Sequence, residues 1–211
     1  PGLRTSYSNW GSALAAQIVA DVSGVPYEDF LRREILEPLG MRATVWQAPS
    51  KMDADTRAKL AIGYKADNGA LGTQGYMQLG AYWPAGGIAS TATDMARWMR
   101  FHLNGGELDG ARLMSAQTHQ AMWTRGFDDR PDAPDLAHGF QDRSYRGLRL
   151  LGHGGATASF FTNMVLVPEL SLGIFVSQSS QQTRVSVSQL PELIIDRVSG
   201  KGFAPTLAVA T

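Results

Sequence analysis

The sequence of 211 residues contains no cysteine, and its 19 lysines and arginines balance its 19 aspartates and glutamates. The absence of cysteine excludes disulfides, thiolate catalysis and cysteine-based zinc sites, but leaves the cellular compartment open. No run of five or six like charges occurs, so neither nucleic acid nor an anionic membrane is expected as a partner. The longest apolar runs, such as residues 172–176, are far shorter than the ~20 residues of a membrane-spanning helix.

The first residues, Pro1-Gly2-Leu3-Arg4, include neither an initiator methionine nor a charged and then apolar signal peptide. They lead directly into sequence with the patterns of a folded domain, so we expect the chain to be a piece of a longer protein. Its length suits one domain of ordinary size or two small lobes.

Apolar residues at helical spacing predict three helices in the first half of the chain. The first opens at Ser12, carries Leu14, Ile18 and Val22 on one face and stops at Gly24; the second follows Pro26. Residues 44–82 show weak periodicity and scattered glycines, which predicts an irregular loop region.

The third helix begins where Thr91 and Asp94 have the spacing of a capping box. We interpret its apolar face as core, because methionine and tryptophan at helical spacing are far more often packing than a cofactor site. His102 is expected at the boundary of that core, without a functional role. The residues of this face are Met95, Trp98, Met99 and His102.

The last third of the chain changes to strand patterns, at residues 137–143, 148–152, 160–167 and 172–177. The segments between them are short enough to be hairpin turns, so we expect an antiparallel sheet. A helix over residues 185–198 should cover this sheet, and Pro191 within it allows a kink or a late start. Its covering face is expected to hold Val187, Leu190, Ile194 and Val198.

Together these elements predict an α+β fold, with an antiparallel sheet flanked by helices plus a helical lobe. Residues 1–135 form the mainly helical and loop part, and residues 136–200 form the strands and the closing helix. The aspartate-rich residues 128–135 lack the glycine and the terminal glutamate of a calcium loop, and are interpreted as a solvated loop.

A glycine-flanked histidine, Gly152-His153-Gly154-Gly155, stands at the end of one predicted strand. Glycines allow sharp bends and let another molecule approach the backbone N–H groups. Alone, the motif is more often an ordinary turn. A metal site with His138, His153 and acidic residues of the 128–135 loop is an alternative, although no typical ligand spacing occurs.

Three blocks in order resemble the serine β-lactamase and penicillin-binding-protein superfamily, in its class C-like branch. They are Tyr7-Ser8-Asn9, then Pro84-Ala85-Gly86-Gly87-Ile88-Ala89-Ser90-Thr91, then Gly152-His153-Gly154-Gly155-Ala156-Thr157. The resemblance covers most of the chain and implies the family's two-lobe architecture, incomplete at the N-terminus. It also implies a small-molecule or peptide acyl substrate, and a periplasmic or extracytoplasmic location is favoured. No cofactor is implied.

The resemblance assigns roles to individual residues. Tyr7 matches the tyrosine whose phenolic oxygen takes the serine proton and later delivers it to the leaving group. Asn9 matches the asparagine that hydrogen-bonds the amide of the acyl group, although a turn asparagine that caps the next helix is an equal alternative. Ala156 matches the strand residue whose backbone N–H provides half of the oxyanion hole.

His153 occupies the position where β-lactamases usually carry lysine, so the local charge becomes conditional on pH. A free phenol titrates near pH ~10, and a cationic neighbour is needed if Tyr7 is to act as a base near neutrality. Histidine here resembles the esterase, D-aminopeptidase and peptidase-like members. Gly154 and Gly155 are expected to keep the strand edge open to substrate.

The family's Ser-x-x-Lys nucleophile motif is absent from these residues. Since the family places it well before Tyr-x-Asn, we expect it in an upstream segment, and the chain alone should not turn over substrate. The substrate is left open between a β-lactam, a D-amino-acid peptide and a short-chain ester. A non-catalytic member that binds cell-wall peptides or a protein partner through the same cleft is the alternative function.

Overall fold

A computed structural model describes residues 6–47, 49–67, 70–126, 135–180 and 184–200. Six α-helices lie in these ranges, and the second continues into a π-helical turn at Leu31–Leu36. Three short 3₁₀ turns lie at Pro49–Lys51, Gly80–Ala85 and Pro168–Leu170. The helices are α1 (Asn9–Ser23), α2 (Tyr27–Phe30), α3 (Ala54–Ala58), α4 (Ala92–Leu103), α5 (Ala116–Met122) and α6 (Arg184–Val198).

The main sheet has five antiparallel strands in the order β5-β6-β7-β8-β9, which confirms the predicted α+β fold. The turn between β6 and β7 is Arg146-Gly147, and both residues have positive φ, at 51° and 82°. Two-residue turns of this kind match the twist of paired strands. The five strands are β5 (Asp135–Leu136), β6 (Gln141–Tyr145), β7 (Leu148–Ala156), β8 (Phe161–Val167) and β9 (Leu172–Gln178).

Two small hairpins precede the main sheet. They pair β1 (Gly63–Asp67) with β2 (Ala70–Gln74), and β3 (Glu107–Leu108) with β4 (Ala111–Arg112). The first hairpin and α3 correct the prediction of an irregular loop over residues 44–82. Every residue of β2 except Gln74 is exposed, so this strand shows no alternation of buried apolar side chains. The local signal for this hairpin, which the sequence prediction missed, is Asn68-Gly69 between the two strands.

The buried apolar residues form three clusters around helix α4 and the two faces of the sheet. One cluster joins α4 to the helical part of the chain, with Leu39 and Phe101 fully buried. The second lies between α4 and the sheet, around Leu151 and Leu166. The third lies between the opposite face of the sheet and α6, around Ile195. Helix α4 is therefore packed on two sides.

The predicted covering face of α6 is correct in part. Val187 is buried, and the half-buried Ile194 packs against the third cluster. Leu190 and Val198 are exposed, and Pro191 and Ile195 are buried instead. Pro191 lies inside the helix, which continues through it. Helix α1 stops at Gly24 as predicted, but it begins at Asn9 with Ser8 as N-cap, three residues before the predicted start at Ser12. Its apolar face is exposed to solvent. That face holds Leu14, Ile18 and Val22.

His102 is also corrected, because it is completely buried rather than at a boundary. Its Nδ1 lies 3.3 Å from Nε2 of His119, among the rings of Trp98, Phe101 and Phe140. Burial, and then the neighbouring His119, lower the pKa of His102 to about 3. Burial also lowers the pKa of His119. Both imidazoles are therefore neutral at physiological pH.

Candidate active site

The structure brings Tyr7 and His153 together, although 146 positions separate them in the chain. Their ring centroids lie 5.5 Å apart, with the ring planes inclined at 44°. Tyr7 belongs to the extended segment that leads into α1, and about half of its side chain is exposed. His153 lies near the end of β7. A phenol and an imidazole thus face each other at an accessible edge of the molecule.

The ring of His153 is oriented by its own strand. Its Nδ1 lies 2.6 Å from the carbonyl oxygen of Gly154. A carbonyl can only accept a hydrogen bond, so Nδ1 carries the proton of this bond. In a neutral imidazole the other nitrogen, Nε2, then has the free lone pair. His153 is therefore able to accept a proton at Nε2 or, once charged, to donate one there.

The end of β7 has an open backbone edge. Pairing between β6 and β7 ends at Gln141 and Gly152, while β8 continues to pair with β7 as far as Ala156. In the described part of the chain, residues 153–156 thus have a strand neighbour on one side only. An extended substrate backbone has room to pair with this edge.

The direction of the Ala156 N–H follows from the alternation of an antiparallel ladder. The N–H of Thr157 donates to the carbonyl of Phe160 at 2.9 Å, towards β8. Successive residues of a strand direct their N–H groups to opposite sides. The N–H of Ala156 is therefore directed away from β8, towards the side where β6 has ended. A backbone donor at this place suits an oxyanion.

The structure explains the occurrence of glycine differently at each of the three positions around His153. A Cβ on Gly152 would lie 2.0 Å from the carbonyl oxygen of Met164, so the pairing of β7 with β8 requires glycine there. A Cβ on Gly155 would lie 2.7 Å from Oγ1 of Thr162. Gly154 is exposed, and a Cβ there would make only an ordinary contact at 3.7 Å. Packing alone does not explain glycine at position 154.

Asn9 is the first residue of helix α1, and its side chain is not the cap of that helix. The cap is Ser8, whose hydroxyl accepts a hydrogen bond from the Gly11 N–H at 3.2 Å. The alternative interpretation of Asn9 as a capping asparagine is therefore wrong. Asn9 is exposed, two residues after Tyr7. Its amide is not engaged by side chains within the described ranges, so it is accessible to a ligand.

No cluster of three or more histidine, cysteine, aspartate or glutamate side chains suited to a metal ion occurs among the described residues. The 128–135 loop of the metal alternative lies outside them, apart from Asp135. The prediction that residues 128–135 form a solvated loop also concerns residues outside the described ranges, apart from Asp135. Within the described residues, no helix is long and apolar enough to cross a membrane.

Comparison with protein families gives a match to the model described as Beta-lactamase over residues 1–198. The chain is 28% identical to the D-alanyl-D-alanine-carboxypeptidase/endopeptidase AmpH of Escherichia coli K12 over 184 residues. This match covers 83% of the chain and 45% of AmpH. The chain thus spans about half the length of the curated relatives it matches.

Two solved structures show the same fold. The octameric penicillin-binding protein homologue from Pyrococcus abyssi matches with a TM-score of 0.78 and 25% identity, over 95% of this chain and 44% of that one. The beta-lactamase/D-alanine carboxypeptidase from Yersinia pestis, complexed with citrate, matches with a TM-score of 0.70 and 27% identity. That match covers 94% of this chain and 56% of the Yersinia chain.

Proposed function

The chain belongs to the beta-lactamase family, and from that premise we propose that it is the C-terminal part of a serine acyl-hydrolase. The enzyme cleaves an amide or ester bond through an acyl-enzyme intermediate. The observation that carries this proposal is the contact between Tyr7 and His153, with ring centroids 5.5 Å apart beside an open strand edge. Residues of two of the three family blocks, Tyr7 and His153, meet at this one surface.

In the proposed mechanism, Tyr7 acts as the general base. Its phenolate oxygen takes the proton of a serine hydroxyl while the serine oxygen attacks the carbonyl carbon of the substrate. The phenol then returns this proton to the leaving nitrogen or oxygen as the scissile bond breaks. A water molecule repeats the attack on the acyl-enzyme and releases the acid. His153 contacts the ring of Tyr7 and is the proposed partner of the phenol in this proton transfer.

The other site residues bind the substrate. We assign the Ala156 N–H to half of the oxyanion hole, because it is directed to the open edge of β7. Asn9 is the anchor for the amide of the acyl group, since a carboxamide offers both a donor and an acceptor. Gly154 and Gly155 keep side chains away from this edge, so the substrate backbone can approach it.

The nucleophile comes from outside these residues, since they contain no Ser-x-x-Lys. An N-terminal segment of the same protein is the proposed source, and the chain by itself is inactive. The names of AmpH and of the Yersinia carboxypeptidase favour a D-alanyl peptide as the substrate class. A periplasmic or extracytoplasmic location fits such a substrate. The open edge of β7 is equally compatible with a non-catalytic protein that binds such peptides without cleaving them. Assays of acylation and of peptide binding separate the two functions.

Replacement of Tyr7 by phenylalanine tests the proposal in protein expressed with its upstream coding sequence. The Tyr7→Phe variant should acylate about 10²–10⁴-fold more slowly, because the ring stays in place and only the proton acceptor is lost. Acylation is measured with nitrocefin, a p-nitrophenyl ester and a D-alanyl peptide. Tyr64→Phe, at another partly exposed tyrosine, is the control and should retain the wild-type rate.

Near-normal turnover by Tyr7→Phe removes Tyr7 from the mechanism. If the unmodified protein binds the D-alanyl peptide but hydrolyses none of the three substrates, the non-catalytic function is correct.

A further inference from the structure

The end of β7 that carries Ala156 is attached to the main sheet on one side. Within the described ranges, residues 153–156 pair with β8 alone, because the pairing of β6 with β7 ends at Gly152. A turn over residues 157–160 then joins β7 to β8 and forms the tip of this hairpin. A donor in an oxyanion hole must be held to within about 0.5 Å of its working position. Support of this tip by another element therefore bears directly on the proposed reaction.

The hairpin of β1 and β2 docks on this tip. The N–H of Tyr64 donates to the carbonyl oxygen of Ser179, just after β9, at 2.7 Å. Tyr64 also forms a parallel bridge with Ser180. Gly63 lies against the buried Ser159 of the turn, and a Cβ on Gly63 would lie 2.1 Å from Oγ of Ser159. Glycine at position 63 therefore allows the backbone of β1 to approach the turn closely.

Tyr76, two residues after β2, makes a further contact between this hairpin and the tip. Its ring stacks on that of Phe160, with centroids 5.1 Å apart and ring planes inclined at 22°, which is a favourable geometry for an aromatic pair. Its hydroxyl donates to the carbonyl oxygen of Ala61, just before β1, at 2.5 Å. Burial raises the pKa of Tyr76, so the phenol keeps the donated proton near neutrality. The ring is thus fixed to the base of one hairpin and lies on the turn of the other.

Phe160 is bonded in turn to the residue that follows Ala156. The N–H of Phe160 donates to Oγ1 of Thr157 at 3.2 Å. The N–H of Thr157 donates to the carbonyl oxygen of Phe160 at 2.9 Å. Since Ala156 directly precedes Thr157, a displacement of Phe160 also displaces the backbone of Ala156.

We propose that Tyr76 is a positioning residue that holds the Ala156 N–H in place through its stack on Phe160. This inference rests on the proposed function, in which that N–H binds the oxyanion. Tyr76 acts through Phe160 and Thr157 rather than on the substrate itself. An oxyanion-hole donor contributes mostly when charge develops in the transition state. Loss of the stack should therefore slow acylation more than it weakens substrate binding.

Tyr76→Leu tests this role in protein expressed with its upstream coding sequence, because leucine removes the stack and keeps an apolar side chain. Acylation by a p-nitrophenyl ester and by a D-alanyl peptide should be about 10–100-fold slower. The dissociation constant of each substrate should change by less than about threefold. Tyr76→Phe keeps the stack and should acylate within about threefold of the unmodified rate.

Tyr145→Leu is the matched control. Tyr145 is also partly buried and also has a bonded hydroxyl, which donates to Asp196 at 3.1 Å. It pairs with Leu148 at the opposite end of β7. This variant should therefore acylate at the unmodified rate.

Amide hydrogen exchange in the same proteins gives a readout that does not depend on catalysis. In Tyr76→Leu the amides of Thr157 and Phe160 should exchange at least about tenfold faster. The amides of residues 148–152, where β7 pairs with β6, should keep their rates. Gly63→Ala is a second variant if Tyr76→Leu does not fold. It forces β1 away from Ser159 with Tyr76 unchanged, and should have the same effects on exchange and acylation.

Unchanged exchange at Thr157 and Phe160 overturns the proposal, because Tyr76 then does not hold the tip. Faster exchange with undiminished acylation also overturns it, because the hold on the tip then does not serve the reaction. An equal loss of acylation in Tyr76→Phe overturns it as well, since the stack is then not the cause. If the unmodified protein acylates neither substrate, the proposed function fails instead, and faster exchange in Tyr76→Leu still supports the hold of Tyr76 on the tip.

Discussion

Helices α1 and α4 have similar apolar patterns and opposite environments. Helix α4 lies between two of the three core clusters, and it buries Met99, Phe101 and His102. Helix α1 carries an equally regular apolar row at four-residue spacing, yet it leaves that row in solvent. Both helices begin at a hydroxyl N-cap, Ser8 and Thr91. The local rules for forming a helix are therefore satisfied equally in the two.

The difference shows what helical periodicity can and cannot indicate. Periodicity identifies the helix face whose apolar side chains can be buried. Whether they are buried depends on which other elements pack against that face. Helix α4 has the sheet on one side and the helical cluster on the other. Helix α1 packs against α2 and the Gly80–Ala85 turn, and it leaves Leu14, Ile18 and Val22 exposed. Helix α4 thus takes part in two of the three core clusters, whereas α1 keeps its apolar row at the surface.

The largest expected effect is at the centre of α4. In the 211-residue chain, Phe101→Ala should lower the free energy of unfolding by about 3–5 kcal/mol, because it leaves a cavity in a fully buried cluster. Ile18→Ala, on the exposed row of α1, should change it by no more than about 0.5 kcal/mol. Urea unfolding of both variants measures the contrast.

A similar loss at both positions would contradict the difference in packing between the two helices.

Acid is expected to lower the free energy of unfolding by a smaller amount, and this effect also originates in α4. Burial and His119 lower the pKa of His102 to about 3, whereas an unfolded histidine titrates near pH ~6.5. Below that pH the unfolded chain binds a proton that the folded chain excludes, so stability is full above pH ~6.5 and falls as the pH falls. At pH 5 the loss from His102 is about 2 kcal/mol.

The measurement is urea unfolding at pH 7 and pH 5. In His102→Phe the difference between the two pH values should shrink, because the ring is kept and the titrating group is lost. His138→Asn, at an exposed histidine, is the control and should leave the difference unchanged. An equal acid loss in His102→Phe and in the unmodified chain would show that His102 does not cause it.

The parts of the fold that could be predicted from the sequence are those that local chemistry determines. Strands β6 to β9 follow from apolar runs separated by short polar turns, and α4 follows from its cap and its stripe. The predicted strand at residues 137–143 is displaced along the chain, since β6 runs from Gln141 to Tyr145. Buried faces were less predictable. His102 and the exposed row of α1 depend on neighbours that are distant in sequence.

For the candidate site, the sequence alone indicated two separate glycine-rich or aromatic loops. Neither Tyr7 nor His153 has a local pattern that requires the other, and only the family resemblance paired them. Their contact joins the segment before α1 to the end of β7, which runs past the end of β6. The catalytic and binding roles of Tyr7, Asn9, His153, Gly154, Gly155 and Ala156 stay predictions.

The central claim is that Tyr7 and His153 serve a serine that lies outside residues 1–211. Its most direct test is peptide mapping by mass spectrometry after reaction with a β-lactam or an activated ester. In protein with its upstream segment, the account predicts one acyl adduct, on a serine before Pro1, and no adduct on the 211-residue chain alone. An acyl group on a serine within residues 1–211 would contradict it.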